Sequence, residues 1–181
     1  MDSKKIIRLS KFLSLVLRHE PQRIGLTLDA AGWAEVELLL AGCHRHNVRI
    51  DRATLEEVVA TNEKKRFAFR EDGRRIRASQ GHSIKVSLGY TEQVPPAMLY
   101  HGTATRFLPS IRAEGLLKGN RHHVHLSAER KTAHAVGGRH GVPLVLSIRA
   151  TAKQEQGFAF FLSENGVWLT EHVPVEFIHF P

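Results

Sequence analysis

The chain has 181 residues, 42% hydrophobic and 24% charged, which allows one sizeable core or two small ones. Its single cysteine, Cys43, excludes an intramolecular disulfide, and no apolar run approaches the ~20 residues of a membrane-spanning helix. The net charge of +8 is lopsided: residues 1–90 carry 17 Lys/Arg against 11 Asp/Glu, residues 91–181 carry 9 against 7, and residues 64–77 alone hold seven basic and two acidic side chains. Such a basic segment suits a polyanion. No long apolar signal core follows Met1-Asp2-Ser3-Lys4-Lys5, so a soluble cytoplasmic protein is expected.

In chain order, Ser3 can cap a helix reaching about Arg18, with Ile6, Leu9, Phe12, Leu13, Val16 and Leu17 at helical spacing and Pro21 as its stop. Gly25-Leu26-Thr27-Leu28 reads as a short extended piece. Gly32-Trp33 opens a second helix through Val36, Leu39 and Leu40, and Asp51 caps a third carrying Leu55, Val58 and Val59. Arg66 to Arg70 alternates with period two, Asp72-Gly73 is a hairpin turn, and Arg74 to Ala78 returns. Helices followed by a two-stranded ribbon are the order of a winged helix. Gly89 and Pro95-Pro96 interrupt periodicity and mark a connection. Beyond it, strands are expected at 97–101, 122–126, 143–149, 158–162, 167–170 and 173–179, with short helices at 105–114 and 128–136. The whole reads as α+β, with one lobe at 1–90 and a β-rich lobe at 97–181.

Four polar stretches carry the chemistry. Arg18-His19 ends the first helix. Arg77 lies on the returning hairpin strand, with Gln80-Gly81-His82-Ser83 after it. Arg121 precedes an alternating segment in which His123 and His125 share one face. His101-Gly102-Thr103 ends a strand. Arginine presents a planar fork of donors matched to phosphate oxygens, and histidine moves a proton near neutral pH. His101 and Thr103, two apart on a strand, face one side and can hydrogen-bond a ribose diol. No P-loop and no Rossmann glycine fingerprint is present. Cys43-His44 with His46, and His123 with His125, lack the paired spacing of a structural zinc site, so no metal is expected.

These motifs, with Phe12-Leu13-Ser14, Gly32-Trp33, Lys65-Arg66-Phe67, Leu126-Ser127 and Asn165-Gly166-Val167-Trp168-Leu169-Thr170, resemble the NAD-dependent RNA (tRNA) 2′-phosphotransferase family over nearly the whole chain. The resemblance implies a winged-helix-like RNA-binding lobe and an ADP-ribosyltransferase-like NAD-binding lobe. It implies transfer of an internal RNA 2′-phosphate to NAD+, through an ADP-ribosylated RNA phosphate. The products are 2′-OH RNA, ADP-ribose 1″,2″-cyclic phosphate and nicotinamide, as in tRNA splicing. It places the catalytic group at Arg18, His19, Arg77 and Arg121. It places the cofactor-binding positions at His101, Gly102, Thr103, His125, Ser127, Asn165, Gly166 and Val167. NAD is then consumed as co-substrate, the partner is a tRNA-like RNA, no membrane is involved and a monomer is expected. Protein-modifying ADP-ribosyltransferases carry a glutamate where Gly166-Val167-Trp168-Leu169 has none. A phosphate already charged needs no carboxylate to activate it, and would be repelled by one. The rivals are an ADP-ribosyltransferase acting on nucleic-acid phosphates or protein, and a non-enzymatic winged-helix binder.

Overall fold

The computed structural model describes residues 3–181, which form two compact units dividing after Gly89.

In the first unit, α1 (Ser3–Arg18) buries Leu9, Leu13, Val16 and Leu17 on one stripe. Ser3 is its first helical residue rather than its cap. The helix stops where the chain turns through a 3-10 segment, Pro21–Ile24; Gly25 closes it in the left-handed region at φ 65°. The expected extended piece at 25–28 forms no strand. Gly32-Trp33 leads into a short strand, β1 (Ala34–Glu35), and only then into α2 (Val36–Arg45). Asp51 does cap α3 (Arg52–Ala60), its carboxylate accepting the Thr54 N–H at 2.8 Å. The hairpin forms as β2 (Phe67–Phe69) and β3 (Arg75–Ala78), with Gly73 at φ +66° in the turn. β3 is central in an antiparallel sheet of order β1-β3-β2, with Ala34 opposite Ile76 and Ala68 opposite Arg77. Leu13, Leu17, Leu39, Leu55, Val58 and Ile76 fill the core.

The second unit is built on β4 (Met98–Ala104) and β7 (Pro143–Arg149), paired along their full length, with β11 (Ile178–His179) on the far side of β7. A second sheet has the order β6-β9-β8, from Val124–Leu126, Trp168–Thr170 and Phe161–Leu162. β5 (Leu116–Leu117) and β10 (His172–Val173) make a short ladder. Reciprocal bonds of 2.8 Å between Tyr100 and Ser127 tie β4 to the residue after β6. Three sequence expectations change here. His101-Gly102-Thr103 lies inside β4 rather than at its end. The 173–179 run breaks into two short strands around a 3-10 turn, Val175–Phe177, which follows Pro174. The stretch after β7 turns helical as α6 (Ala150–Glu155).

Two helices fill the surface of this unit, α4 (Leu108–Glu114) and α5 (Arg130–Gly137). α5 lies directly on β4. A Cβ at Gly102 would sit 1.7 Å from the Ala133 carbonyl oxygen, and one at Gly137 would sit 2.5 Å from the Thr103 carbonyl oxygen. Only glycine admits that approach. Lys153, on α6, is wholly buried. Its ammonium donates to Thr170 Oγ1 at 2.7 Å and lies 4.4 Å and 4.5 Å from the ring centres of Phe158 and Phe160. Among the described residues no helix is long and apolar enough to cross a membrane.

Candidate active site

The first unit gathers its polar residues at the end of α1. The loop after β3 folds back on that end: the Ser83 N–H donates to the Arg18 carbonyl at 3.0 Å, and Ser83 Oγ lies 2.8 Å from His19 Nδ1. Arg18 Nη2 donates to the Arg66 carbonyl at 3.4 Å, at the entry of β2. Gly81, at φ +84°, lies against Arg18: a Cβ there would stand 3.6 Å from Nη1, in ordinary contact. The Ser79 N–H donates to the same Arg66 carbonyl at 2.9 Å. His82 is buried rather than facing outward, its ring packed 3.4 Å from where a Cβ of Gly32 would be. Arg77 stands on β3 with its guanidinium 4.5 Å over the indole of Trp33. The structure therefore joins Arg18, His19, Gly81 and Ser83 into one cluster, and places Arg77 on a sheet against which α1 packs.

The second unit gathers polar residues of its own. His101 Nδ1 is 3.0 Å from the His125 carbonyl oxygen. A carbonyl only accepts, so Nδ1 carries the hydrogen and Nε2 of the neutral ring presents a lone pair. Burial holds the His101 imidazole below its ordinary pKa; the bond to the His125 carbonyl opposes this, while the charges of Arg121 and His140 reinforce it. A neutral ring with a fixed tautomer is an acceptor suited to a sugar hydroxyl. Arg121 Nη1 lies 3.4 Å from His125 Nδ1, and because arginine cannot accept, that ring nitrogen is the acceptor. Arg121, His125 and His101 are thus linked in sequence.

Thr103 shares the His101 side of β4 but is buried. Leu126 pairs with Trp168, so Ser127 and Val167 come next on neighbouring strands at one end of the sheet. The Asn165–Val167 turn is held tightly: Ser163 Oγ donates to Asn165 Oδ1 at 2.8 Å, the Val167 N–H donates to Ser163 Oγ at 3.0 Å, and Gly166 adopts φ +77°.

Among the described residues no three His, Cys, Asp or Glu side chains group to hold an ion. Burial pushes the Cys43 thiol up to about 11, away from the thiolate that a metal takes. His123 packs between the rings of Tyr90 and Phe161, at 6.3 Å and 5.5 Å. Two partners escaped sequence reasoning. Gly32-Trp33 is among the residues that carry the resemblance, but nothing local in the sequence pairs Trp33 with Arg77, whose guanidinium lies 4.5 Å over its ring. Lys153 lies in a polar run, Lys153-Gln154-Glu155-Gln156, and nothing in that pattern marks it as buried.

The RNA 2′-phosphotransferase, Tpt1 / KptA family profile matches residues 4–172. A probable RNA 2′-phosphotransferase of Burkholderia lata is 58% identical over 94% of this chain and 89% of its own length. Its counterpart in Pseudomonas aeruginosa is 57% identical over 98% of both chains. That of Trichormus variabilis is 49% identical over 99% of this chain and 98% of its own. With agreement of this extent, the chain belongs to the RNA 2′-phosphotransferase, Tpt1 / KptA family.

Proposed function

We propose that this protein is an NAD+-dependent RNA 2′-phosphotransferase. It moves an internal RNA 2′-phosphate onto NAD+ through an ADP-ribosylated RNA phosphate, and releases 2′-OH RNA, nicotinamide and ADP-ribose 1″,2″-cyclic phosphate. The observation that carries the reading is the linked set Arg121, His125 and His101 in a chain of this family. Through His125 it links a phosphate-type arginine to an imidazole, His101, whose tautomer suits a ribose hydroxyl. The helix-and-ribbon order of the first unit, with its β1-β3-β2 sheet, supports a winged-helix-like RNA-binding lobe. The strand-rich second unit is read as ADP-ribosyltransferase-like.

NAD+ supplies an electrophilic ribose carbon with nicotinamide as leaving group. The protein's residues do the rest. His101 accepts from the ribose through Nε2, Gly102 lets α5 pack directly on the strand that carries His101, and the Asn165–Val167 turn and Ser127 line the neighbouring sheet end. Arg18, Arg77 and Arg121 stabilise the charge that grows on the phosphate oxygens during transfer. His19, oriented by Ser83, exchanges the proton between the two sugar hydroxyls. The basic 64–77 segment holds the RNA backbone, so affinity falls with rising salt.

The test is direct. Purified protein is incubated with NAD+ and an oligonucleotide carrying one internal 2′-phosphate. NAD+-dependent loss of that phosphate, with the cyclic product, is expected. Arg18→Ala, Arg77→Ala and Arg121→Ala should each slow it on the order of a hundredfold or more, while Arg45→Ala leaves it unchanged. Folded protein that never removes the phosphate would refute the reading.

A further inference from the structure

α5 carries a basic stripe that no step above uses. Its first turn holds Arg130 and Lys131 and no acid. His134 follows Arg130 by four positions and lies on the same face of the helix. All three are exposed, and among the described residues neither Arg130 nor Lys131 pairs with an acid. Glu129, just before the helix, instead accepts from the Thr132 hydroxyl at 3.3 Å. Cations in a first turn oppose the helix dipole, so this placement weakens the helix. A merely solvated basic face would sit better at the other end.

The same three side chains border a cavity of about 450 Å³. Pro143, Val145 and Pro181 line it as well and make its floor apolar. The strand register shows which side of the sheet this is. Gly102 pairs with Val145, and a Cβ on Gly102 would point at the Ala133 carbonyl of α5. Val145, and Pro143 two residues before it, therefore share the α5 side. His101 and Thr103 flank Gly102 in β4 and face the opposite side. The cavity is thus separate from the histidine assigned to the ribose.

Cationic donors beside an apolar floor match a nucleotide: phosphate oxygens take the charged rim, and sugar or base covers the floor. The volume falls within the roughly 300–1,000 Å³ of pockets that hold molecules of that size. We propose that this cavity is a second RNA site, taking a nucleotide of the substrate strand remote from the transferred phosphate. Arg130 and Lys131 hold its two flanking phosphates, His134 adds a hydrogen bond, and Pro143, Val145 and Pro181 receive its sugar or base. That the nucleotide belongs to RNA rests on the phosphotransferase reading above. Because the cavity and His101 lie on opposite sides of one sheet, only a strand long enough to pass the sheet edge fills both.

The experiment compares two single-stranded RNAs, a trinucleotide and a long oligonucleotide, each with one internal 2′-phosphate. Affinity is read by fluorescence anisotropy without NAD+, and turnover is read with it. Arg130→Ala/Lys131→Ala should weaken binding of the long RNA on the order of tenfold at about 0.1 M salt. The slope of log affinity against log salt should become shallower by about 1.4, two phosphate contacts at about 0.7 each. Affinity and kcat for the trinucleotide should not move. Arg130→Glu/Lys131→Glu should weaken the long RNA further through like-charge repulsion. Alanine is a good helix former and relieves the dipole, so the first variant should keep its Tm; should it unfold, Arg130→Gln/Lys131→Gln serves the same test. Equal loss on both RNAs, or unchanged affinity for the long one in folded protein, would overturn the inference. Adenosine monophosphate bound by the starting protein and lost in the alanine variant, with both RNAs normal, would assign the cavity to a free nucleotide and overturn it too. Should neither RNA lose its phosphate, the phosphotransferase reading fails by itself; the anisotropy still decides the site, and selective loss on the long RNA supports it.

Discussion

Lys153 offers the sharpest test of the energetics. Its side chain is wholly buried, with the ammonium held by Thr170 Oγ1 and two phenylalanine faces. Burial lowers its pKa from the ordinary 10.5 to about 8. The folded protein gives up this proton more readily than the unfolded chain. Between those two values the unfolded state binds more protons, so stability rises with pH through the window and the charge is a net cost below it. At 1.36 kcal/mol per pH unit the cost at pH 7 is about 3 kcal/mol. Lys153→Met keeps the length of the side chain and removes the charge. It also removes one hydrogen bond, worth about 1 kcal/mol. Thr170 Oγ1 still donates to the Ala159 carbonyl at 2.9 Å, so no buried hydroxyl is stranded. The variant should therefore be about 2 kcal/mol more stable at pH 7. The gain should shrink above pH 8 and change sign at about pH 10, where the remaining penalty no longer exceeds the lost hydrogen bond. Urea denaturation of both proteins across this range measures the difference, from which other titrating groups cancel. A variant destabilised at pH 7, by an amount indifferent to pH, would refute the reasoning.

Three further outcomes follow from the geometry. Gly102→Ala forces a methyl to 1.7 Å from the Ala133 carbonyl oxygen, so α5 must lift from β4; a loss of at least about 3 kcal/mol, or insoluble protein, is expected in denaturation. Ser83→Ala removes the partner of His19 Nδ1 while leaving the Ser83 backbone bond to Arg18 possible; kcat should fall about tenfold with the KM for NAD+ unchanged, and a shifted pH–rate profile should accompany it. His101 is neutral through the physiological range because burial lowers its pKa, so the affinity for NAD+ should be flat near pH 7 and weaken only in acid, below the ordinary imidazole range, as Nε2 gains a proton. His101→Phe should raise the KM for NAD+ and abolish that acid limb in a pH series of KM.

Much of this protein was legible before any coordinates. α1 follows from apolar residues at helical spacing, Asp51 caps α3, and Asp72-Gly73 turns the ribbon. These are local effects, decided by propensity, capping and turn chemistry within a few residues. The arginine and histidine motifs were visible for the same reason: their chemistry is written in residue type. What the linear pattern could not decide was partnership. Ser83 meets His19 across 64 positions, His101 finds its tautomer in a carbonyl 24 residues away, and Arg77 rather than Arg75 receives the Trp33 ring. Lys153 reads as a surface lysine and is buried. Strand ends shifted likewise, since β5 and β10 exist only because each supplies the other's hydrogen bonds. Local propensity is a property of neighbours in sequence, whereas burial, protonation and side-chain pairing are set by neighbours in space, which only the folded chain brings together.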